Sequence, residues 1–138
     1  MRRYAAVLFL VLIALSGCSL FLQDTYYFYS MFDKAEGEPY EFHLKPSSRG
    51  YTISMSKGNH EDSGFTQEQA EAQRDTTNFT LQLDGVDLVT DGVKYVAELD
   101  VGWHVVQDFS TGSLARGTYS LVGTTVGLRT DTITLQVR

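Results

Sequence analysis

Tyr40-Glu41-Phe42-His43-Leu44-Lys45 and Tyr51-Thr52-Ile53-Ser54-Met55-Ser56, joined by Pro46-Ser47-Ser48-Arg49-Gly50, decide the fold class. In each flank every second residue is apolar, the period of a strand with one face buried. Pro, Ser and Gly between them read as a turn, so the pair is expected to form a β-hairpin. The same period recurs along the chain. Phe79, Leu81 and Leu83 alternate with Thr80, Gln82 and Asp84, and Val93, Tyr95, Ala97, Leu99 and Val101 line one face of the next strand. Trp103 to Phe109 is a further apolar stretch, and Gly117–Leu121 and Thr132–Val137 close the chain. Asp84-Gly85 and Asp91-Gly92 are turn signals between these runs.

This adds up to seven to nine short strands with a turn about every ten residues. Twelve glycines and the abundance of Thr, Val, Tyr and Phe agree. The expected fold is all-β, a small antiparallel β-sandwich with one short helix. The helix is read from Thr66-Gln67-Glu68-Gln69, a capping box in which Thr66 and Gln69 satisfy each other's amides. Phe65 and Ala70 fall at the hydrophobic staple positions, and Gln67 to Arg74 gives two turns crossing between strands. The stretch from Phe109 through Gly117-Thr118-Tyr119 to Val137 resembles the closing hairpin of immunoglobulin-like bacterial surface domains. The resemblance implies an immunoglobulin-like sandwich. Antibody domains themselves are excluded, because their inter-sheet cysteine pair is missing.

The N-terminus carries the most specific signal. Met1-Arg2-Arg3 is basic, Tyr4 to Leu15 has no charged residue, and small residues follow. These are the n-region, h-region and cleavage region of a signal peptide. Leu15-Ser16-Gly17-Cys18 resembles the lipobox of bacterial lipoproteins. That resemblance implies a diacylglyceryl group on the Cys18 sulfur, cleavage before Cys18 and acylation of its new amino group. Ser19, where an aspartate would retain such a protein in the inner membrane, implies the outer membrane in a Gram-negative cell. The chain then divides into a signal peptide (1–17), a lipidated tether with a leading strand (18–39) and the sandwich (40–138). Tyr26-Tyr27-Phe28-Tyr29 in the tether reads as a first strand in preference to an aromatic belt at the membrane. Two plainer readings compete: an uncleaved signal anchor, and a secreted protein with an incidental cysteine.

Composition narrows the partners. The chain of 138 residues has 11 basic and 17 acidic residues, a net charge of −6. Loss of Arg2 and Arg3 with the signal takes it to −8, with 17 acidic against 9 basic. No basic cluster suits nucleic acid, which needs concentrated Lys and Arg. So acidic a domain should be repelled by an anionic membrane and stand off on its tether. The single cysteine excludes an internal disulfide and a multi-cysteine zinc site.

Signals for chemistry are sparse. Lys57-Gly58-Asn59-His60-Glu61-Asp62-Ser63-Gly64 offers nitrogen and oxygen donors, but without the spacing of a calcium loop or a second fixed histidine. It reads first as a solvated connection, with His60, Glu61 and Asp62 as candidate contact residues. His43 and His104 read as surface histidines. Trp103, the one tryptophan, is either a stacking platform for a ligand or the main core aromatic, and the core reading is favoured. No Gly-x-Ser-x-Gly elbow or phosphate loop occurs, although two of the carboxylates could pair for glycoside hydrolysis. Asn78-Phe79-Thr80 is an acceptor sequon that reads as a strand start. No cofactor and no metal are expected.

The reading is a membrane-anchored envelope lipoprotein facing away from the cytoplasm. Its domain is a non-catalytic binding or assembly module for an envelope protein or glycan. Gly58–Gly64 and Asp108–Arg116 are its expected contact loops. Two alternatives stand beside it: an envelope hydrolase or metal-dependent enzyme on the same scaffold, and a purely structural lipoprotein.

Overall fold

A computed structural model describes residues 25–29, 41–58, 65–99 and 102–138. Among them nine strands and one helix follow in order. They are β1 (Thr25–Tyr29), β2 (Glu41–Leu44), β3 (Thr52–Lys57), α1 (Gln67–Arg74), β4 (Phe79–Leu83), β5 (Val86–Asp87), β6 (Lys94–Leu99), β7 (Gly102–Ser110), β8 (Gly117–Thr125) and β9 (Arg129–Val137). The strands form two sheets, β1-β3-β7-β6 and β2-β9-β8-β4-β5. The fold is the expected all-β sandwich. Two pairings depart from the antiparallel rule: β1 lies parallel to β3, and β2 lies parallel to β9.

The core fills the space between the sheets in two clusters. Ile53 and Met55 of β3, Phe79 and Leu81 of β4, Val105 and Phe109 of β7, Leu121 and Ile133 form the larger one. Leu44, Tyr51, Leu114, Leu135 and Val137 form the other, at the end where β3 begins and β9 ends. Met55, Leu81, Val105 and Leu135 are almost wholly buried, and each such side chain contributes about 1.5–3 kcal/mol.

The opening pair of runs does not make a hairpin. β2 joins one sheet through β9, and β3 joins the other between β1 and β7. An arch over 45–51 carries the chain across the core, so Phe42 and Leu44 face Tyr51 and Ile53 across the sandwich. The arch is held by backbone bonds from Ser47 N to Leu114 O (2.9 Å) and Leu114 N to Ser47 O (2.8 Å). The Tyr51 hydroxyl donates to Lys45 O at 2.7 Å. Gly50 has φ +75° and lies against Gly112, so close that a Cβ there would sit 1.7 Å from the Gly112 oxygen.

The local signals in the other turns are realised. Asp84 (φ 50°) and Gly85 (φ 80°) both adopt left-handed conformations in the two-residue β4–β5 turn, as a type I′ hairpin requires. Gln69 N donates to Thr66 Oγ1 at 3.2 Å, and Thr66 N donates to Gln69 Oε1 at 2.9 Å. Ala70 is fully buried, and α1 packs on β6 and β7.

The face of β6 is a correction. Pairing sets Val96 opposite Val105, a core residue. Lys94 and Val96 therefore face inward, Glu98 lies on the same side but is exposed, and Tyr95 and Ala97 face out. Lys94 is accommodated because its ammonium donates to Thr77 O at 2.7 Å and Asp75 O at 3.3 Å, carbonyls just beyond the end of α1. A cation there also suits the helix dipole.

Candidate functional site

Of the residues singled out from sequence, Cys18, His60, Glu61 and Asp62 lie outside the described residues. Trp103 is described, and it is not the central aromatic. It is half-buried and belongs to neither core cluster; Phe79, Phe109 and Tyr51 fill that role. It sits at the start of β7, opposite Glu98. Its backbone exchanges two bonds with Phe65, at 2.8 and 3.0 Å. The strand there runs beyond the level of the central core, toward the residues that lead into α1.

His104 corrects the surface reading. It is 5% exposed, and its Nδ1 lies 3.0 Å from Gly102 O. A carbonyl only accepts, so Nδ1 carries the proton and the ring is held as that tautomer. Burial pulls its pKa below the ordinary imidazole value, and the Gly102 carbonyl partly opposes this. His43, by contrast, is exposed, 3.4 Å from Glu41. The two rings point from the outer faces of different sheets and cannot share a ligand. Among the described residues, no three His, Cys, Asp or Glu side chains come close enough to hold a metal ion.

The feature that sequence reasoning missed is a set of exposed apolar side chains in and after β5. Val86 is 69% exposed, Val89 74% and Val93 58%. Val86 opens β5, Val89 and Val93 lie on the connection from β5 to β6, the strands at one edge of each sheet, and Tyr95 of β6 is also exposed. The backbone beneath is fixed. Ser110 N donates to Val89 O at 2.7 Å, and Leu88 N to Leu81 O at 2.9 Å. Val93 N donates to Asp91 Oδ1 at 2.9 Å, and Gln107 Nε2 to Thr90 Oγ1 at 3.2 Å. Tyr95 donates its hydroxyl to Asp108 Oδ1 at 3.0 Å, and Ser54 donates to the same carboxylate. These apolar side chains are thus held out to solvent on a fixed backbone. The signal was in the sequence: Val86 and Val93 directly follow Asp-Gly turns.

A second exposed pair, Val126 and Leu128, flanks Gly127 at the tip of the β8–β9 hairpin. The expected contact loop Asp108–Arg116 lies at the opposite end of the sandwich from that tip. No protein-family model and no curated protein sequence matches the chain.

Proposed function

We propose that the protein is a lipid-anchored lipoprotein of the cell envelope whose sandwich is a non-catalytic, immunoglobulin-like binding module. The anchor rests on the basic, apolar and small-residue order of the first 17 residues and on Leu15-Ser16-Gly17-Cys18. Two or three acyl chains on Cys18 hold firmly without a membrane-spanning helix. In a cell with two membranes, Ser19 favours the outer one. Labelled fatty acid should enter the wild-type chain and fail to enter Cys18→Ser; equal label in both refutes the anchor.

Two features support the immunoglobulin-like reading. The sheet orders β3-β7-β6 and β9-β8-β4-β5, with β2 added beside the last strand, follow the strand neighbours of that fold. Tyr119, near the start of β8, donates its hydroxyl to Ala115 O at 3.0 Å, the bond of a tyrosine corner. Leu121, two residues on, packs in the same core cluster as Ile53 of β3, where antibody domains have a disulfide.

The observation that carries binding is the exposure of Val86, Val89 and Val93. Exposed valines beside the edge strands of the two sheets suit a protein partner better than a glycan. A photo-reactive residue at Val89 should cross-link one defined envelope protein, whereas the same residue at exposed Thr134 should not. Equal capture at both positions, or none at Val89, favours the purely structural lipoprotein. The rival enzyme reading needs His60, Glu61 and Asp62 to meet a further histidine, and His43 and His104 lie on opposite outer faces.

A further inference from the structure

We propose that the free edge of β6 pairs with the same edge of a second copy of the chain, in an antiparallel two-fold interface centred on Val96. The inference rests on the reading of this side of the sandwich as a contact surface and names its partner. β6 is the last strand of its sheet, and the bonds of β7 show which of its backbone groups are open. Trp103 uses both its N–H and its C=O on Phe65, at 3.0 and 2.8 Å, on the side of β7 away from Glu98. Ser110 N turns the other way, to Val89 O. Even-numbered residues of β7 therefore bond β6 and odd-numbered ones bond away from it, since antiparallel pairs alternate. Across from them, Tyr95, Ala97 and Leu99 bond within the sheet, and Lys94, Val96 and Glu98 direct their N–H and C=O groups outward. Among the described residues, none of these outward groups makes a backbone bond.

An open edge is a template for another strand, and this one is complementary to itself. Val93-Lys94-Tyr95-Val96-Ala97-Glu98-Leu99 reads apolar, basic, aromatic, apolar, small, acidic, apolar. Turned antiparallel about Val96, Lys94 faces Glu98 of the second copy, and Glu98 faces its Lys94. These are the outward residues, so the facing pairs exchange backbone bonds. Tyr95 faces Ala97, a large side chain over a small one, and the exposed Val93 faces Leu99. Opposite charges directly across strands attract, and like charges repel. Centring the pair on Lys94 or on Glu98, or running the strands parallel in register, sets like charges together, so charge selects one arrangement. The Lys94 ammonium is held by Thr77 O and Asp75 O, which orient it and leave its charge intact. Glu98 is exposed and forms no ion pair among the described residues. Near Lys94, Arg74 and Asp75 lie 3.3 Å apart and offset each other. Asp91, Asp108 and, in sequence, Asp100 add negative charge past the facing Lys94 and Glu98 pairs; they weaken the pairing at low salt and leave its register unchanged. β5, the neighbouring edge of the other sheet, is only two residues long, too short to compete. Each copy has one β6, so the two-fold interface closes at a dimer.

The test oxidises the full chain, in phosphatidylcholine vesicles, after Val96→Cys. The facing Cα atoms at position 96 would lie about 5.5 Å apart, a separation that a disulfide spans. The wild-type chain is the blank for Cys18, and Thr134→Cys, at an exposed position of β9, is the control for random collision. Non-reducing electrophoresis should show several-fold more covalent dimer from position 96 than from position 134. Adding Glu98→Lys sets lysines together in both facing pairs and should cut that dimer about tenfold; Glu98→Gln should cut it about threefold. Melting should be unchanged in both, because Glu98 is exposed and unpaired in the single copy. Glu98→Pro removes an outward N–H where an edge strand tolerates proline, and should abolish the dimer with far-UV circular dichroism intact. Equal yields from positions 96 and 134, or a dimer indifferent to all three changes at Glu98, overturns the pairing. If a photo-reactive Val89 then still captures a different protein, the binding reading stands and only its partner changes. If Val89 captures nothing as well, both fall.

Discussion

Gly50→Ala tests the arch that separates the two sheets. At φ +75°, alanine is strained by about 1–2 kcal/mol before any contact is considered. Its Cβ would lie 1.7 Å from the Gly112 oxygen, 2.4 Å from the Gly112 carbonyl carbon and 2.7 Å from Thr111 Oγ1. The obstacle is backbone, so it cannot rotate aside. Relief requires the 50–51 and 111–112 strands to part by about 1.5 Å, given ordinary carbon–oxygen contact distances. That would break the bonds from Tyr51 N to Thr111 Oγ1 (2.9 Å) and from Thr111 N to Tyr51 O (3.0 Å), at about 1 kcal/mol each. The expected loss is about 3–5 kcal/mol, a large part of the stability of a domain this size. Gly112→Ala is the matched control. Its φ is +64°, but no atom lies within 4 Å of its would-be Cβ, so only the conformational cost of about 1–2 kcal/mol applies. Urea unfolding followed by the fluorescence of Trp103 measures both. Equal losses in the two variants would refute the close approach, and with it the arch as the device that sets the strand partners.

Three further outcomes follow from single contacts. Asp131 and Arg129 form an ion pair at 2.8 Å with side chains 2% and 11% exposed; Asp131→Asn should destabilise by about 3–5 kcal/mol, and Arg129→Met with Asp131→Leu by much less, in the same unfolding assay. Tyr119→Phe removes the bond to Ala115 O and should lower stability by about 1 kcal/mol with the sheets intact by circular dichroism. His104 has a folded pKa below its unfolded value of 6.5, so the unfolded chain takes up the proton first as pH falls. Stability should be full above that value and decline below it, and His104→Asn, which can still donate to Gly102 O, should flatten the decline between pH 7.5 and 5.

Elements whose chemistry is local were legible in the sequence. The Thr66 and Gln69 side chains cap their own helix, and Asp84-Gly85 supplies both left-handed residues of its turn, so neighbours alone fix them. Strand partners were not legible. Phe42-His43-Leu44 and Tyr51-Thr52-Ile53 alternate identically whether a hairpin or an arch joins them, and the choice is made by the meeting of Gly50 with Gly112, far along the chain. The inward face of β6 was misread for a related reason. Either set of its alternate residues offers apolar side chains, and the deciding fact is that carbonyls beyond α1 satisfy Lys94. His104 followed the parity of β7, where Val105 and Val106 are both fully buried, so alternation no longer separates inside from outside. The exposed valines were hidden because Val is counted as core by type, while their place beside tight turns keeps them out of it.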